Sequence, residues 1–222
     1  MPGMRLDLRL YAIVDPEHAG GHRLPDLARR VAEGGATLVQ LRDKRGETRE
    51  MVAQARAIKA ALAPLGIPFI VNDRVDVALA AAADGVHLGQ EDMEVADARR
   101  LLGPQAIIGW SVKTMPEAQA APLQHLTYVA IGAVFPTTSK DNPTHIGPEG
   151  LRQIAAEVRA RAPGFPIGAI AGINETNAAD VIAAGADGIC VISALLAASD
   201  PTTAAKELRG IVDAALAKRG AR

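Results

Sequence analysis

Short runs of apolar residues alternate eight times with longer segments of helical periodicity. The runs are rich in Val, Ile and Leu, as is typical of parallel strands that helices cover on the outside. The predicted strands are Leu10–Val14, Thr37–Leu41, Phe69–Asn72, Gly85–Leu88, Ile107–Ser111, Tyr128–Ala133, Ile167–Ala171 and Gly188–Ile192. The clearest predicted helices are Arg49–Ala63, Val75–Ala83, Leu151–Arg161, Asn174–Ala184 and Thr202–Lys218. The eightfold alternation predicts an α/β fold, a (β/α)8 TIM barrel, in preference to an open doubly wound sheet.

No linker, charge run or low-complexity tract divides the 222 residues. A barrel of this kind is commonly one domain of about 250 residues, so we expect a single domain over residues 1–222. Such a barrel carries its chemistry on the loops that follow the strands. Polar residues just after the predicted strands are therefore the candidates for function.

Charge and composition restrict the partners. A formal net charge of −1 argues against a surface that binds nucleic acid, and the single cysteine, Cys190, excludes an internal disulfide and suits a reducing compartment. The segment Met1–Leu10 carries charges within its apolar run, unlike a secretory signal, and no apolar stretch is long enough to span a bilayer. We expect a cytoplasmic protein that binds small molecules and neither nucleic acid nor membrane.

The second predicted strand turns polar at its end, in the order Gln40-Leu41-Arg42-Asp43-Lys44. Side chains two apart on a strand share a face, so Gln40 and Arg42 lie together, and Lys44 joins them if the strand stays extended. Burying an amide, a guanidinium and an ammonium side by side costs too much desolvation to serve packing alone. This cluster indicates a phosphorylated ligand that also accepts hydrogen bonds.

Two aspartates follow adjacent strands. Asp73 comes directly after strand three, and Asp92 lies in the loop after strand four. One carboxylate from each, completed by phosphate oxygens and waters, is a common way to hold Mg²⁺. Aspartate is also a favoured helix N-cap, so the spacing alone leaves capping by each residue open.

Ser111 ends the fifth strand, where its hydroxyl could donate to a phosphate or could cap the next helix. Its neighbour Trp110 alternates with it and is expected to pack under the outer helices. His87, within strand four, is expected to be a hydrogen-bonded core residue, and Cys190 is expected to be core.

A long polar connection, residues 135–147, follows strand six. Thr137, Thr138 and Ser139 precede Lys140, and hydroxyls beside an ammonium make a suitable anion clamp. Long loops in compact domains are usually functional or disordered, and an ordinary surface loop is the alternative here.

A phosphate site is expected after strands seven and eight, where many barrels bind a monophosphate with backbone N–H groups. Gly172 would let the backbone approach the ligand closely, and Ser193 lies where a short helix could begin.

Taken in chain order, these motifs resemble the thiamine phosphate synthase family. The resemblance runs from about the first to the eighth strand and rests on Gln40–Lys44, Val71–Asp73, His87–Asp92, Gly109–Ser111, Phe135–Lys140, Ala171–Ile173 and Val191–Ser193. Family members often have Gly where this chain has Ala171, and Thr where it has Ser139.

The resemblance implies roles for these residues. The pyrimidine diphosphate would be held by Gln40, Leu41, Arg42, Asp43, Lys44, Asn72, Ser111 and Lys140, among which Lys140, Arg42 and Ser111 would be catalytic. The thiazole phosphate would be held by Thr137, Thr138, Ser139, Gly172, Ile192 and Ser193. Asp73 and Asp92 would bind one Mg²⁺ per subunit, and a homodimer is plausible for the family.

The implied reaction joins hydroxymethylpyrimidine diphosphate to a thiazole phosphate and releases pyrophosphate. Diphosphate leaves first, and the thiazole nitrogen then attacks with its own lone pair, so no general base is needed. Three alternatives stay open: a thiazole tautomerase, an isomerase or aldolase acting on sugar phosphates, and a regulatory protein that binds the ligands without turnover. A tautomerase would be expected to lack the diphosphate and metal ligands.

Overall fold

A closed barrel of eight parallel strands forms the centre of the protein. The computed structural model describes residues 6–137 and 145–221. The strands are β1 (Leu10–Val14), β2 (Leu38–Leu41), β3 (Phe69–Asn72), β4 (Gly85–Leu88), β5 (Ile107–Val112), β6 (Tyr128–Ile131), β7 (Ile167–Ile170) and β8 (Gly188–Val191). They pair in chain order, and β1 closes the barrel against β8. The predicted (β/α)8 fold is confirmed.

Helices follow the strands and cover the barrel. They are α1 (Leu24–Glu33), α2 (Thr48–Leu62), α3 (Val75–Ala80), α4 (Val95–Leu102), α5 (Met115–Ala120), α6 (Gly147–Arg161), α7 (Ala178–Ala183), α8 (Ser193–Leu196) and α9 (Pro201–Gly220). Their apolar faces pack on the strands in one continuous core. Among the residues described, no helix is both long enough and apolar enough to cross a membrane.

Three helices differ from the sequence-based boundaries by three residues or more, and one of them, α6, begins at Gly147, four residues before the expected Leu151. The helix expected to begin at Asn174 begins at Ala178, because Asn174 Oδ1 accepts the Thr176 N–H at 2.9 Å and Asn177 Oδ1 accepts the Asn174 N–H at 2.9 Å. These side-chain hydrogen bonds build a turn in place of the first helical turn. Helix α3 ends at Ala80, three residues early, and Ala82 follows with φ of +52°.

The strand register places the site residues at one edge. Gln40 lies beside Ile13 of β1, Asn72 beside His87, and Ser111 beside Ala130 of β6. In a parallel barrel all the carboxyl ends meet at the same mouth. Side chains that are far apart in sequence therefore gather there, as the sequence analysis requires.

Candidate functional site

A buried ion pair lies at the mouth between β1 and β2. The guanidinium of Arg42 donates Nη1–H to a carboxylate oxygen of Asp15, which follows β1, and both side chains are buried. The Arg42 backbone N–H donates to the Val14 carbonyl at 2.9 Å, which extends the β1–β2 pairing. Arg42 Nε is buried and has no hydrogen-bond partner within the described chain. It is a donor that a ligand oxygen can satisfy.

The two predicted metal residues converge beside Lys44. The Lys44 ammonium pairs with the Asp73 carboxylate, and Asp92 Oδ2 accepts the Gly89 N–H at 2.7 Å. Burial raises the pKa of Asp73; Lys44 acts in the lowering direction and the neighbouring carboxylate of Asp92 raises it further. A cation next to Asp73 would therefore stabilise its ionised carboxylate, because it would compensate for the solvation lost on burial.

The alternative of helix capping is wrong for the residues after β3, β4 and β5. Helix α3 has Arg74 at its N-cap and α4 has Glu94, neither with a side-chain capping bond. Helix α5 is capped by Thr114, whose side chain accepts the Glu117 N–H. Asp73, Asp92 and Ser111 therefore do not serve as caps.

The carboxylate pair fits a cation that keeps other ligands. No group of three or more His, Cys, Asp or Glu residues in the described part of the chain could hold a metal ion. Two carboxylates suit Mg²⁺, which usually retains waters and takes phosphate oxygens from its substrate. The donor set of Asp73 and Asp92 is compatible with that arrangement.

Polar side chains also cross the barrel interior. The Gln40 amide donates Nε2–H to the Tyr11 hydroxyl, and the hydroxyls of Tyr11 and Tyr128 lie 3.0 Å apart. His87 Nδ1 lies 2.9 Å from the Tyr128 hydroxyl, and His87 Nε2 lies 2.9 Å from Ser111 Oγ. The expectation that His87 is a hydrogen-bonded core residue is confirmed, and it links Ser111 to the centre of the barrel.

The second and fifth strands also carry residues that face away from this interior. Leu41 alternates with Gln40 and is fully buried, whereas the Asp43 carboxylate accepts the N–H groups of Arg45 and Gly46 at 3.0 and 2.7 Å. The side chains of Leu41 and Asp43 thus serve packing and the turn. Trp110 is buried, as expected.

A pocket opens between the ends of β7 and β8. Thr137, Gly172, Ile173, Ile192 and Ser193 line it. Gly172 has φ of +67°, and a Cβ there would lie 2.4 Å from the Pro136 carbonyl oxygen, so only glycine fits. Helix α8 begins at Ser193, as predicted.

Part of the predicted anion clamp lies outside the described residues, namely Thr138, Ser139 and Lys140. Thr137 is the last described residue before that gap, and it lines the pocket at β7 and β8. The predicted site residues with described side chains fall into two groups at the mouth, one around β2 to β5 and one at β7 and β8.

Comparison with known proteins identifies the family to which this chain belongs. The sequence model of a family described as thiamine monophosphate synthase matches residues 10–195. The chain belongs to this family.

Curated relatives agree with that assignment. The thiamine-phosphate synthase of Agrobacterium fabrum is 48% identical over 216 residues, covering 97% of this chain and 98% of the relative. That of Moorella thermoacetica is 47% identical over 210 residues, covering 94% and 98%. The resemblance found in the sequence is confirmed, and the chain is a transferase of thiamine biosynthesis.

A solved structure supports the same relationship. The thiamine phosphate pyrophosphorylase from Pyrococcus furiosus superposes with a TM-score of 0.83 at 40% identity, covering 96% of this chain and 98% of the other. An orotidine 5'-phosphate decarboxylase from Pyrococcus horikoshii superposes with a TM-score of 0.66 at 16% identity, covering 92% of this chain and 99% of the other. At that identity the second likeness shows a shared barrel alone.

The structure brings three further residues, Asp15, Tyr11 and Tyr128, into hydrogen-bonded contact with predicted site residues or with His87. Asp15 could have been found, because it follows β1 just as Asp73 follows β3. Tyr11 and Tyr128 gave no such signal, since each lies inside an apolar strand and reads as core. Their hydroxyls meet because the closed barrel brings the interior-facing side chains of β1 and β6 together.

Proposed function

We propose that this transferase joins 4-amino-2-methyl-5-hydroxymethylpyrimidine diphosphate to 4-methyl-5-(2-phosphoethyl)thiazole, or to its carboxylated form. The products are thiamine phosphate and pyrophosphate. The observation that carries the proposal is that two separate groups of residues suited to anions lie at one barrel mouth. Arg42 and Lys44 lie near β2, and Gly172 and Ser193 lie across the barrel at β7 and β8. A reaction between two phosphorylated substrates needs both groups.

The pyrimidine diphosphate fits the side of the mouth formed by β2 to β5. The unpartnered Nε of Arg42 offers a donor to a diphosphate oxygen, and Asp15 holds the guanidinium in place. Ser111 of β5 and Asn72 of β3 supply further hydrogen-bonding groups at the mouth, while Gln40 is more deeply buried and suits the ring. We assign Lys140 to the same diphosphate from its position in the family motif.

We further infer that Asp73 and Asp92 hold one Mg²⁺ per subunit. Bound there, the ion would supply positive charge to a leaving diphosphate. The two carboxylates would hold the ion at the mouth. The Lys44 ammonium, which pairs with Asp73, adds positive charge at the same place. The raised pKa of Asp73 supports the assignment. It indicates that Lys44 does not fully offset the cost of burying this carboxylate beside Asp92, and a bound cation would offset the remainder.

The residues suit a dissociative substitution. The bond from the pyrimidine methylene carbon to the diphosphate oxygen breaks, and its electron pair leaves with the diphosphate. Arg42, Lys44 and Lys140 stabilise that negative charge. The thiazole nitrogen then forms the new bond to carbon with its lone pair, so no side chain has to remove a proton. Catalysis consists of charge stabilisation and of holding two rings in line.

The thiazole phosphate fits the pocket at β7 and β8. The left-handed backbone at Gly172 and the start of α8 at Ser193 present N–H groups to a phosphate. Thr137 lines the same pocket, and Thr138 and Ser139 follow it in the motif. Ile192 lines the same pocket and supplies an apolar side chain for the thiazole ring.

A homodimer is plausible for a member of this family. We place the enzyme in the cytoplasm, where it uses small-molecule substrates and contacts neither nucleic acid nor membrane. The sequence supports this with one cysteine, no internal disulfide and a formal charge of −1.

The test is an incubation of the protein with both phosphorylated precursors, with Mg²⁺ or with chelator. Thiamine phosphate is followed as its fluorescent oxidation product, and each precursor is omitted in turn. We expect product only when both precursors and Mg²⁺ are present. Interconversion of thiazole phosphates without coupling would instead establish a tautomerase, although Arg42, Lys44, Asp73 and Asp92 all argue against one.

Matched variants test the metal assignment. Asp92→Asn and Asp73→Asn should lose most Mg²⁺-dependent turnover, on the order of 10²-fold or more. Asp76→Asn is the control, because Asp76 is an exposed carboxylate on α3 that pairs with Arg74. Equal activity in all three variants would refute the two-aspartate site while leaving the coupling reaction in place.

A further inference from the structure

The side chain of Asn177 is bonded twice to the phosphate loop, the residues 172–174 that follow β7. Its amide nitrogen Nδ2 donates to the Gly172 carbonyl at 2.9 Å, and its amide oxygen Oδ1 accepts the Asn174 N–H, also at 2.9 Å. Both polar groups of one amide are therefore used on the backbone of a short loop. Asn177 has no part in the substrate contacts or the charge stabilisation proposed above.

An asparagine at this position would ordinarily serve the helix. Asn177 is the N-cap residue of α7, where asparagine is favoured because its side-chain oxygen can accept an N–H of the first helical turn. The Asn177 side chain makes no such capping bond. It turns back to the phosphate loop and not to the helix that it precedes.

The two bonds fix neighbouring peptide groups of the backbone. The Gly172 carbonyl belongs to the same peptide group as the Ile173 N–H, and in a trans peptide these two groups point in opposite directions. Because Asn177 binds the carbonyl, the Ile173 N–H is directed away from Asn177. The bond to the Asn174 N–H fixes the next peptide group, so the backbone on both sides of Ile173 is held.

The phosphate loop separates Asn177 from the pocket at β7 and β8. Among the described residues, Gly172, Ile173 and Ser193 line that pocket, and Asn177 does not. Neither the Gly172 N–H nor the Ile173 N–H has a hydrogen-bond acceptor in the described part of the chain. Backbone donors at buried positions are normally paired, and Ile173 is buried. The two N–H groups are therefore suited to oxygens of a ligand in the pocket.

We propose that Asn177 is a positioning residue of the thiazole-phosphate site, which holds the N–H groups of Gly172 and Ile173 towards the phosphate without touching it. This inference rests on the proposed function, and it names what aligns the phosphate loop of the same site. The loop needs such support because Gly172, with φ of +67°, has more conformational freedom than any other residue type would have there.

The experiment measures kcat and the KM of each substrate in the presence of Mg²⁺. Asn177→Ala should raise the KM for the thiazole phosphate by about tenfold or more, because hydrogen bonds to a charged phosphate are weakened. The KM for the pyrimidine diphosphate should stay within about twofold, since its proposed site lies across the barrel. At saturation with both substrates kcat should stay within about threefold, because the loss is one of binding.

Asn177→Asp is a second variant, in which the side chain keeps its size. Its carboxylate can still accept the Asn174 N–H, but it cannot donate to the Gly172 carbonyl, and it adds a negative charge near the phosphate. It should raise the KM for the thiazole phosphate at least as much as Asn177→Ala does. Calorimetric titration with the thiazole phosphate alone measures the same loss of affinity without turnover.

Thr37→Val is the matched control. Thr37 Oγ1 accepts the Leu10 N–H at 3.2 Å and donates to the Leu10 carbonyl at 3.1 Å, so it also makes one bond of each kind to the backbone. These bonds lie at the start of β1, at the opposite end of the barrel from the mouth. The variant should lower the melting temperature and leave both KM values within about twofold.

The outcomes separate the two proposals. If the unmodified protein makes no thiamine phosphate, the proposed coupling fails, and the titration still decides the role of Asn177. A titration in which the unmodified protein does not bind the thiazole phosphate, or binds it no better than the variants do, overturns the inference.

If product forms and the Asn177 variants keep the KM for the thiazole phosphate, the inference is overturned. Equal rises in both KM values, a fall in kcat alone, or failure of both variants to fold would make Asn177 a residue of the general structure, which overturns it as well. A rise confined to the thiazole phosphate and absent from Thr37→Val supports it.

Discussion

Lys44 and Asp73 form an ion pair between two neighbouring strand ends. Asp73 has φ of +61°, a conformation that aspartate tolerates better than most residues. The left-handed turn directs the chain into α3, and the carboxylate remains at the mouth beside Lys44 and Asp92. Two carboxylates held this close together repel each other, which lowers the free energy of unfolding when no cation is bound.

Asp73→Asn should therefore stabilise the metal-free protein at neutral pH. Burial raises the pKa of Asp73 in the folded state, so the folded chain binds this proton more tightly than the unfolded chain does. The free energy of unfolding then falls as pH rises from the unfolded pKa, about 3.9, through the higher folded pKa. Melting temperatures should be measured in chelator from about pH 3 to about pH 8 for Asp73→Asn and for the unmodified protein. The variant should be the more stable of the two by a margin that grows with pH.

Asp76→Asn is the control for this prediction, and its effect on stability at neutral pH should have the opposite sign. The Arg74 hydrogen bond lowers the pKa of Asp76, so the Asp76 carboxylate favours folding above its unfolded pKa. Asp76→Asn should lose a little stability at neutral pH and none at low pH. In addition, Mg²⁺ should raise the melting temperature of the unmodified protein and not that of Asp73→Asn. A variant that is less stable in chelator at pH 7 would contradict the account.

Asp15→Ala should destabilise the protein by about 3–5 kcal/mol, because it leaves the buried Arg42 without its carboxylate. It should also raise KM for the pyrimidine diphosphate, since the guanidinium loses the partner that orients it. Urea unfolding and steady-state kinetics measure the two effects. Glu33→Ala is the control: its pair with Arg29 is largely exposed on α1, and the cost should stay below about 0.5 kcal/mol. Equal costs would show that Asp15 does not hold Arg42.

Ala171→Gly should stabilise the protein by about 0.5–1 kcal/mol, the relief of a left-handed alanine less the entropy of the added glycine. Ala171 has φ of +80° beside Gly172, at the position where family members often carry glycine. Ala82→Gly is a matched change away from the mouth, with φ of +52°, and should gain a similar amount. Thermal unfolding of both variants tests this. Turnover should be unchanged in Ala82→Gly, and a loss of stability in Ala171→Gly would show that its methyl group packs favourably.

Gly109→Ala should cost about 1–3 kcal/mol by overpacking, because the new Cβ would meet the Tyr128 ring and His87. Gly210→Ala is the comparison, since it lies exposed in α9 with nothing within 4 Å of a new Cβ. That change should gain about 0.5–1 kcal/mol through helix propensity and lower unfolded-state entropy. Denaturant midpoints of the two variants should therefore move in opposite directions.

The strands were predicted closely and some helix boundaries were not. Each strand is a short apolar run between polar or glycine-rich segments, and that pattern is local, so β1, β3 and β4 match residue for residue. The start of α7 depends on how Asn174 and Asn177 satisfy the backbone, which periodicity does not report. The left-handed turn at Ala82 likewise has no sequence signal, because alanine favours helix.

The candidate site divides in the same way. The sequence by itself determined the barrel and the polar residues that end its strands, because both follow from alternation along the chain and from the rule that parallel strand ends share one edge. Only the tertiary structure decided that Asp15 holds Arg42, that Asp73 and Asp92 are not helix caps, and that Tyr11 meets Tyr128. Asp15 and Arg42 meet because β1 and β2 pair side by side, and Tyr11 meets Tyr128 because closure of the barrel brings the interior faces of β1 and β6 together.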